Sequence, residues 1–428
     1  MKKLAYILFL PIASYGLTID QAVQKALNQN LNLKEYKQDI KANQYQLKED
    51  KQLWFPQFFV SYSYTMFKDT PYTQIPISFG SISPPPFKQF NKQFSNFDIG
   101  INYPIFTGFQ RINKIKISKS QIKSSKYMYH EQENEIKAKV EKAYLNVLMA
   151  EDALNIYKSQ KKAVSYAVKK AKEQYKEGLR TKVDVLQAKV KLSKVERDIK
   201  KAEGNLKIAK AYLNNLLNQD INKDFQVEHV KWNIPKNLNL EKLQELAIRN
   251  RKIINALSEQ EKQAEYLYKI NQASFYPQVV AQAKYNYSNQ SPYLDPKGNY
   301  IFAIALNLEF QGIKPYYASL KTKELEKKLV IKINQLKNNI KLQVKSAYEN
   351  FLTAQKNLDI AENTLKEAEE YYKLVKGQYE NQLADMTDLL NAESSYTAAK
   401  RGRMISYYEL LKAFVDLEKA VGVDLNEK

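Results

Sequence analysis

Cysteine is absent from this chain of 428 residues. That excludes a disulfide framework, a thiolate metal site, a cysteine nucleophile and an iron–sulfur cluster. Histidine occurs twice, at His130 and His229, too few for a histidine-rich metal centre. Glycine (11) and proline (13) are scarce, which excludes collagen-like and low-complexity chains. No run of about 18 apolar residues follows the N-terminus, so no transmembrane helix is expected. Acid is the minority charge: 46 Asp and Glu against 67 Lys and Arg leave a net charge of +21. What is plentiful is apolar surface, 44% of residues, with 31 tyrosines. Such a chain can bury a large core, which argues against disorder.

Met1, Lys2 and Lys3 precede an apolar run from Leu4 to Ile12, and Ser14 and Gly16 are small residues two apart. This pattern predicts a secretory signal peptide over residues 1–16, cut after Gly16. No cysteine follows the cut, so a lipid anchor is not expected. A secreted chain without cysteine fits a bacterial envelope protein.

The chain repeats itself. Residues 18–57 match 239–278 at an offset of 221; farther on the offset is 204, so that Gly108 falls on Gly312, Ala143-Tyr144 on Ala347-Tyr348, Tyr175 on Tyr379 and Asp184 on Asp388. A unit of roughly 200 residues is far longer than a solenoid repeat, which points to a duplicated domain. The expected organisation is a first copy over 17–218, a linker over 219–238, a second copy over 239–422 and a tail over 423–428. Each copy holds a helix (18–53; 240–274), a β-hairpin (57–107; 278–311), a very long helix (109–176; 313–380) and a return helix (184–217; 388–421).

The long helices carry a seam. Ile136, Val140, Ala143, Val147, Ala150, Leu154, Tyr157, Lys161, Val164, Val168, Ala171 and Tyr175 step by 4,3,4,3, and Ile340 through Tyr379 repeat the pattern. A mean spacing of 3.5 predicts left-handed coiled-coil packing. A helix of 68 residues is about 100 Å long.

The hairpin segments alternate. Phe58, Val60, Tyr62, Tyr64 and Met66 form an apolar face; so do Phe97 to Ile105, Val279 to Tyr287, and Phe302 to Phe310 at every second position. The opposite face is mainly Gln, Asn, Ser, Asp and Lys. Segments of ~9–11 residues with this alternation suit an outer-membrane barrel with a wet lumen. Four strands cannot close a barrel alone, and an open edge is not tolerated in lipid, so insertion requires several subunits.

The residues now carry a resemblance. The duplicated order, with Pro56-Gln57 and Pro277-Gln278 at helix-to-strand junctions and Tyr103-Pro104-Ile105-Phe106-Thr107-Gly108-Phe109 at a strand-to-helix junction, resembles the TolC-type outer-membrane efflux proteins. The opening Leu17-Thr18-Ile19-Asp20 through Asn30 is similar to that family's start. The resemblance implies a mainly α fold with a β-barrel part. A long antiparallel coiled-coil tunnel and four transmembrane strands per chain are completed by trimerisation into a shared twelve-stranded barrel. It implies no catalysis, cofactor or metal. The function implied is a passive exit duct for efflux or type I secretion, in the outer membrane and reaching into the periplasm. Its partners are two further copies, a periplasmic adaptor, a proton- or ATP-driven inner-membrane pump and outer-membrane lipid, with no nucleic acid.

The resemblance also assigns residues. Adaptor helices dock around Gly178 and Leu179 in one tip and Gln382 and Leu383 in the other, Gln382 standing where the pattern has glycine. Tyr379 and Asp184 match a pair that hydrogen-bonds between neighbouring coils and holds the gate shut. Asp388 matches an acidic ring at the entrance, whose second position is Asn391 here. The family's gate arginine is Ala384 in copy two, while copy one has Arg180. Helix N-capping is the competing role for Asp184 and Asp388. The competing function is a secreted basic coiled-coil protein that binds anionic surfaces or nucleic acid through its excess charge.

Overall fold

The structure is a computed structural model that describes residues 16–74, 76, 80, 84–229, 232–235, 238–309 and 311–425. The expected signal peptide therefore lies outside the described residues, Gly16 excepted, as do Phe310 and parts of the first hairpin loop, the linker and the tail.

The helices are α1 (Ile19–Gln29), α2 (Leu31–Gln52), α3 (Gln110–Lys176), α4 (Lys182–Leu216), α5 (Leu240–Asn250), α6 (Lys252–Asn271), α7 (Lys314–Glu380) and α8 (Met386–Val421). The strands are β1 (Gln57–Met66), β2 (Tyr72–Thr73), β3 (Phe87–Lys88), β4 (Gln93–Thr107), β5 (Gln278–Ser288) and β6 (Gly298–Asn307). The chain forms two compact units, 1–38 with 126–255 and 334–428, and 39–125 with 256–333. Each draws on both sequence copies.

The helical unit is organised by the predicted seam. Ile136, Val140, Ala143 and Val147 are buried in one core with Leu213, Tyr408 and Leu411; Ile340, Val344, Ala347 and Phe351 are buried in a second with Phe414 and Leu417. Lys161, the one charged seam position in α3, meets Glu196 at 2.8 Å. Tyr175 is a departure: it is exposed, and the buried seam of α3 ends at Ala171.

The expected single helices over 18–53 and 240–274 are each broken. Asn30 ends α1 and Arg251 ends α5, both with extended ψ, 131° and 112°. The reason is long-range. Asn30 Nδ2 donates to the carbonyl of Leu216 (3.0 Å), and an Arg251 Nη donates to that of Ala420 (3.1 Å). These are the same tie in both copies, at offsets of 221 and 204. Arg251 is also held by Glu131 through Nε at 2.7 Å.

A second tie is repeated. The Tyr348 hydroxyl donates to the Leu238 carbonyl (3.0 Å), as that of Tyr144 does to Leu17 (2.7 Å). Tyr144 also lies 2.8 Å from the Glu228 carbonyl and accepts the Glu228 N–H at 3.0 Å. Burial pushes its hydroxyl up to about 12. Tyr144→Phe removes the hydroxyl from the Glu228 carbonyl and leaves the Leu17 carbonyl and the Glu228 N–H only their mutual bond of 3.2 Å. Its expected cost is about 1–3 kcal/mol, read as a lower melting temperature of the detergent-solubilised protein.

The second unit holds a four-stranded antiparallel sheet in the order β1-β4-β5-β6, so the two hairpins join through β4 and β5. Pro104 sits in β4 beyond the last residue paired with β1, at a register shift against β5, where its missing N–H interrupts the ladder least. The small β2–β3 pair inside the first hairpin loop was not expected from the sequence. The outer edges of β1 and β6 have no strand beside them among the described residues. The apolar face is open: Phe58 is 80% exposed and Phe302 81%. The polar face is tied across strands by Gln282–Asn102 (2.8 Å), Asn286–Asp98 (3.0 Å) and Ser288–Asn96 (2.5 Å).

Candidate functional site

The helical unit ends in two turns, 177–181 between α3 and α4 and 381–385 between α7 and α8. Both are the same device. Leu179 N–H donates to the Gln174 carbonyl and Leu383 N–H to that of Gln378, each at 2.8 Å. Gly178 N–H reaches Tyr175 and Gln382 N–H reaches Tyr379, each at 3.1 Å. This is a Schellman closure, which needs one left-handed residue. Gly178 supplies it at φ 72°, and Gln382 is forced into it at φ 64°. Removing the Cβ should relieve that strain: Gln382→Gly is expected to stabilise the tip by about 1 kcal/mol, measured as a higher melting temperature, while Gly178→Gln should do the reverse.

Asp184 and Asp388 are not the caps themselves. The caps are Thr181 and Asp385, and each Asp lies three residues on, completing a capping box. Asp184 N–H donates to Thr181 Oγ1, and Asp184 Oδ2 accepts the Thr181 N–H at 3.0 Å. Asp388 N–H donates to Asp385 Oδ1 at 2.8 Å, and the Asp385 N–H to Asp388 Oδ2 at 3.3 Å. The correction has a local cause, since a helix starts where a side chain can accept the N–H three residues later. The spacing Thr-x-x-Asp and Asp-x-x-Asp carried that signal in the sequence.

The two tips pack on each other through Ala167, Val168, Ala171, Val185, Ala188, Met386 and Leu389. Tyr379 lies in this core, 1% exposed. Its hydroxyl donates to Gln174 Oε1 (3.1 Å), not to Asp184. Burial raises its pKa; Arg180 opposes the shift and Asp184 adds to it. Arg180 bridges the copies: one Nη donates to the Ala384 carbonyl at 2.7 Å, and its guanidinium lies 4.9 Å from the centroid of the Tyr379 ring. The arginine of copy one thus meets the backbone of the position where copy two lacks one. Leu179 (49%) and Leu383 (80%) are exposed at the turns, as are Asp388 and Asn391.

A buried polar group near the tips escaped the sequence reading. Glu393, 4% exposed, accepts from Gln160 Nε2 (3.1 Å) and Thr397 Oγ1 (2.7 Å), with Lys191 Nζ at 4.0 Å. Its partners come from three helices, so no local pattern could have revealed it.

No cluster of metal-ligating side chains occurs among the described residues. The chain belongs to the outer membrane efflux protein family: the family model matches residues 22–219 and 243–423. The two stretches begin 221 residues apart and end 204 apart, the offsets of the internal repeat. Members of this family are channels of the outer membrane. No curated protein matches the chain.

Solved structures share the fold. CusC superposes with a TM-score of 0.79 at 14% identity, over 95% of this chain and 92% of its own. VceC of Vibrio cholerae gives 0.75 at 16%, over 95% and 96%. The CmeC outer membrane channel of Campylobacter jejuni gives 0.75 at 17%, over 99% and 93%.

Proposed function

We propose that three copies of this chain join edge to edge, β6 of one subunit beside β1 of the next, into a twelve-stranded barrel in the outer membrane, with the helical parts forming a tunnel in the periplasm. The observation that carries this reading is the four-stranded sheet with two unpaired outer edges and an exposed apolar face. Unpaired strand edges cannot persist in lipid, where each free backbone group costs several kcal/mol, so the edges must meet other edges. A soluble basic coiled-coil protein has no use for such a face.

The tunnel is a passive exit duct of a tripartite efflux or type I secretion system. The tips close it at rest. A periplasmic adaptor docks around Gly178, Leu179, Gln382 and Leu383, and an inner-membrane pump supplies the energy. Arg180, Tyr379 and Gln174 hold the two tips of a subunit together. Three Asp388 side chains, exposed and oriented by their capping boxes, gather at the entrance and attract cations. Asn391, one turn further along α8, leaves that ring single.

The mass of the purified mature protein in detergent, and its conductance in planar bilayers, test the reading. A trimer that conducts is expected. A water-soluble monomer that never enters bilayers would overturn it.

A further inference from the structure

The four long strands carry two charged residues, Asp98 in β4 and Lys284 in β5. Both lie on the polar face, and they find each other: Lys284 Nζ is 2.9 Å from Asp98 Oδ1. They are not directly opposed. Asp98 pairs in register with Asn286 and Ser61, and Lys284 with Gly100 and Ile301. The lysine reaches the carboxylate diagonally, across Gly100. A Cβ on that glycine would stand 2.6 Å from Lys284 Cβ and from the Ala283 carbonyl oxygen, so a side chain there would push the lysine off its path.

Asp98 also accepts from Asn286 Nδ2 at 3.0 Å, but the four strands offer no second charged partner to either residue. Beside Lys284 on this face are Gly100 and Ile301, with Phe59 opposite Gly100 on β1. Elsewhere the face is held by uncharged pairs, Gln282 with Asn102 and Ser288 with Asn96. An ion pair that is still partly open to solvent, its side chains 25% and 20% exposed, adds little to stability beyond what such amide pairs provide. The sheet therefore has no structural need for the two charges.

We infer that the Lys284–Asp98 pair keeps the lumen of the barrel free of net charge and so determines the ion selectivity of its membrane-spanning part. The inference rests on the barrel reading above. In that barrel, losing one partner leaves three like charges facing a common lumen. At 0.01 M salt the Debye length is about 30 Å, so those charges act across the opening. Lining of one sign raises the local concentration of counter-ions by about tenfold or more.

The test compares wild type, Asp98→Asn, Lys284→Gln and the double variant in planar bilayers at low salt. Reversal potentials in a KCl gradient report selectivity. Tripolyphosphate, added on the side of the hairpin loops, probes for an exposed ring of lysines. Asp98→Asn is expected to raise the permeability of chloride relative to potassium about tenfold and to become sensitive to block by tripolyphosphate. Lys284→Gln should shift selectivity towards potassium without block. The double variant should return to wild-type selectivity and resist block. If Asp98→Asn keeps wild-type selectivity and is not blocked, the inference is overturned. A lower melting temperature in that same variant would then mark the pair as a strand clamp only. If wild type itself forms no conducting trimer, the barrel reading falls instead, and this inference with it.

Discussion

Replacing Arg180 with Ser and Tyr379 with Phe together is expected to raise the time-averaged conductance per channel about tenfold or more. The double change removes three interactions from each subunit. The Arg180 bond to the Ala384 carbonyl is a charged hydrogen bond, worth about 1.5–3 kcal/mol. The guanidinium over the Tyr379 ring adds about 0.5–2 kcal/mol. The Tyr379 hydroxyl bond to Gln174, in a buried site, adds about 0.5–1.5 kcal/mol. Each 1.4 kcal/mol taken from the closed state shifts the closed-to-open ratio about tenfold, and in the proposed trimer three subunits share one entrance. Lys200→Gln, an exposed change on α4, should leave conductance as it is. Lys200→Gln should melt close to wild type, and the double variant should melt lower but still cooperatively, since the apolar contacts of Val168, Ala171, Met386 and Leu389 remain. Unchanged conductance in a well-folded double variant would show that these groups only pack the tips.

Glu141→Gln is expected to stabilise the protein above neutral pH and to flatten its stability between about pH 4.5 and 8. Burial pushes the Glu141 carboxyl up to about 8 from an ordinary 4.5, Lys137 opposing the shift and Glu418, Asp424 and Asp20 adding to it. Lys137 stands 3.9 Å away and is engaged by Asp424 as well, so it offsets the burial only in part. Below pH 4.5 the group is protonated in both folded and unfolded chains and contributes no pH dependence. Between 4.5 and 8 the folded chain holds a proton that the unfolded chain has released, so stability falls as pH rises. Above 8 the whole cost is present, about 5 kcal/mol for a shift of this size. Thermal unfolding of both proteins across pH 4–9 would show the curves diverging upward in pH. Parallel curves would refute the assignment.

The local features of this protein were legible because their causes are local. The 4,3 spacing located the buried faces of α3 and α7, since a helical seam is fixed by its period. The long helices were expected over 109–176 and 313–380 and are found over Gln110–Lys176 and Lys314–Glu380. The turn residues marked both tips, and alternation marked the strands and their polar face, Asp98 and Lys284 included. The family likeness rested on the order of these parts and their duplication.

Tertiary structure decided what depends on two distant segments at once. Asn30 and Arg251 look like interior helix residues until Leu216 and Ala420 claim their side chains. Tyr379 could be read as a seam residue or a gate residue, and its partner Gln174 lies in the other copy. Arg180 reaches Ala384 because two turns, 204 residues apart, pack tip to tip. Lys284 finds Asp98 because the register of β4 on β5 puts a glycine between them. Periodicity states which face a residue occupies, and a fold is needed to state what that face meets: hydrogen bonds and ion pairs act over about 3 Å, a distance that no spacing in the chain encodes for segments so far apart.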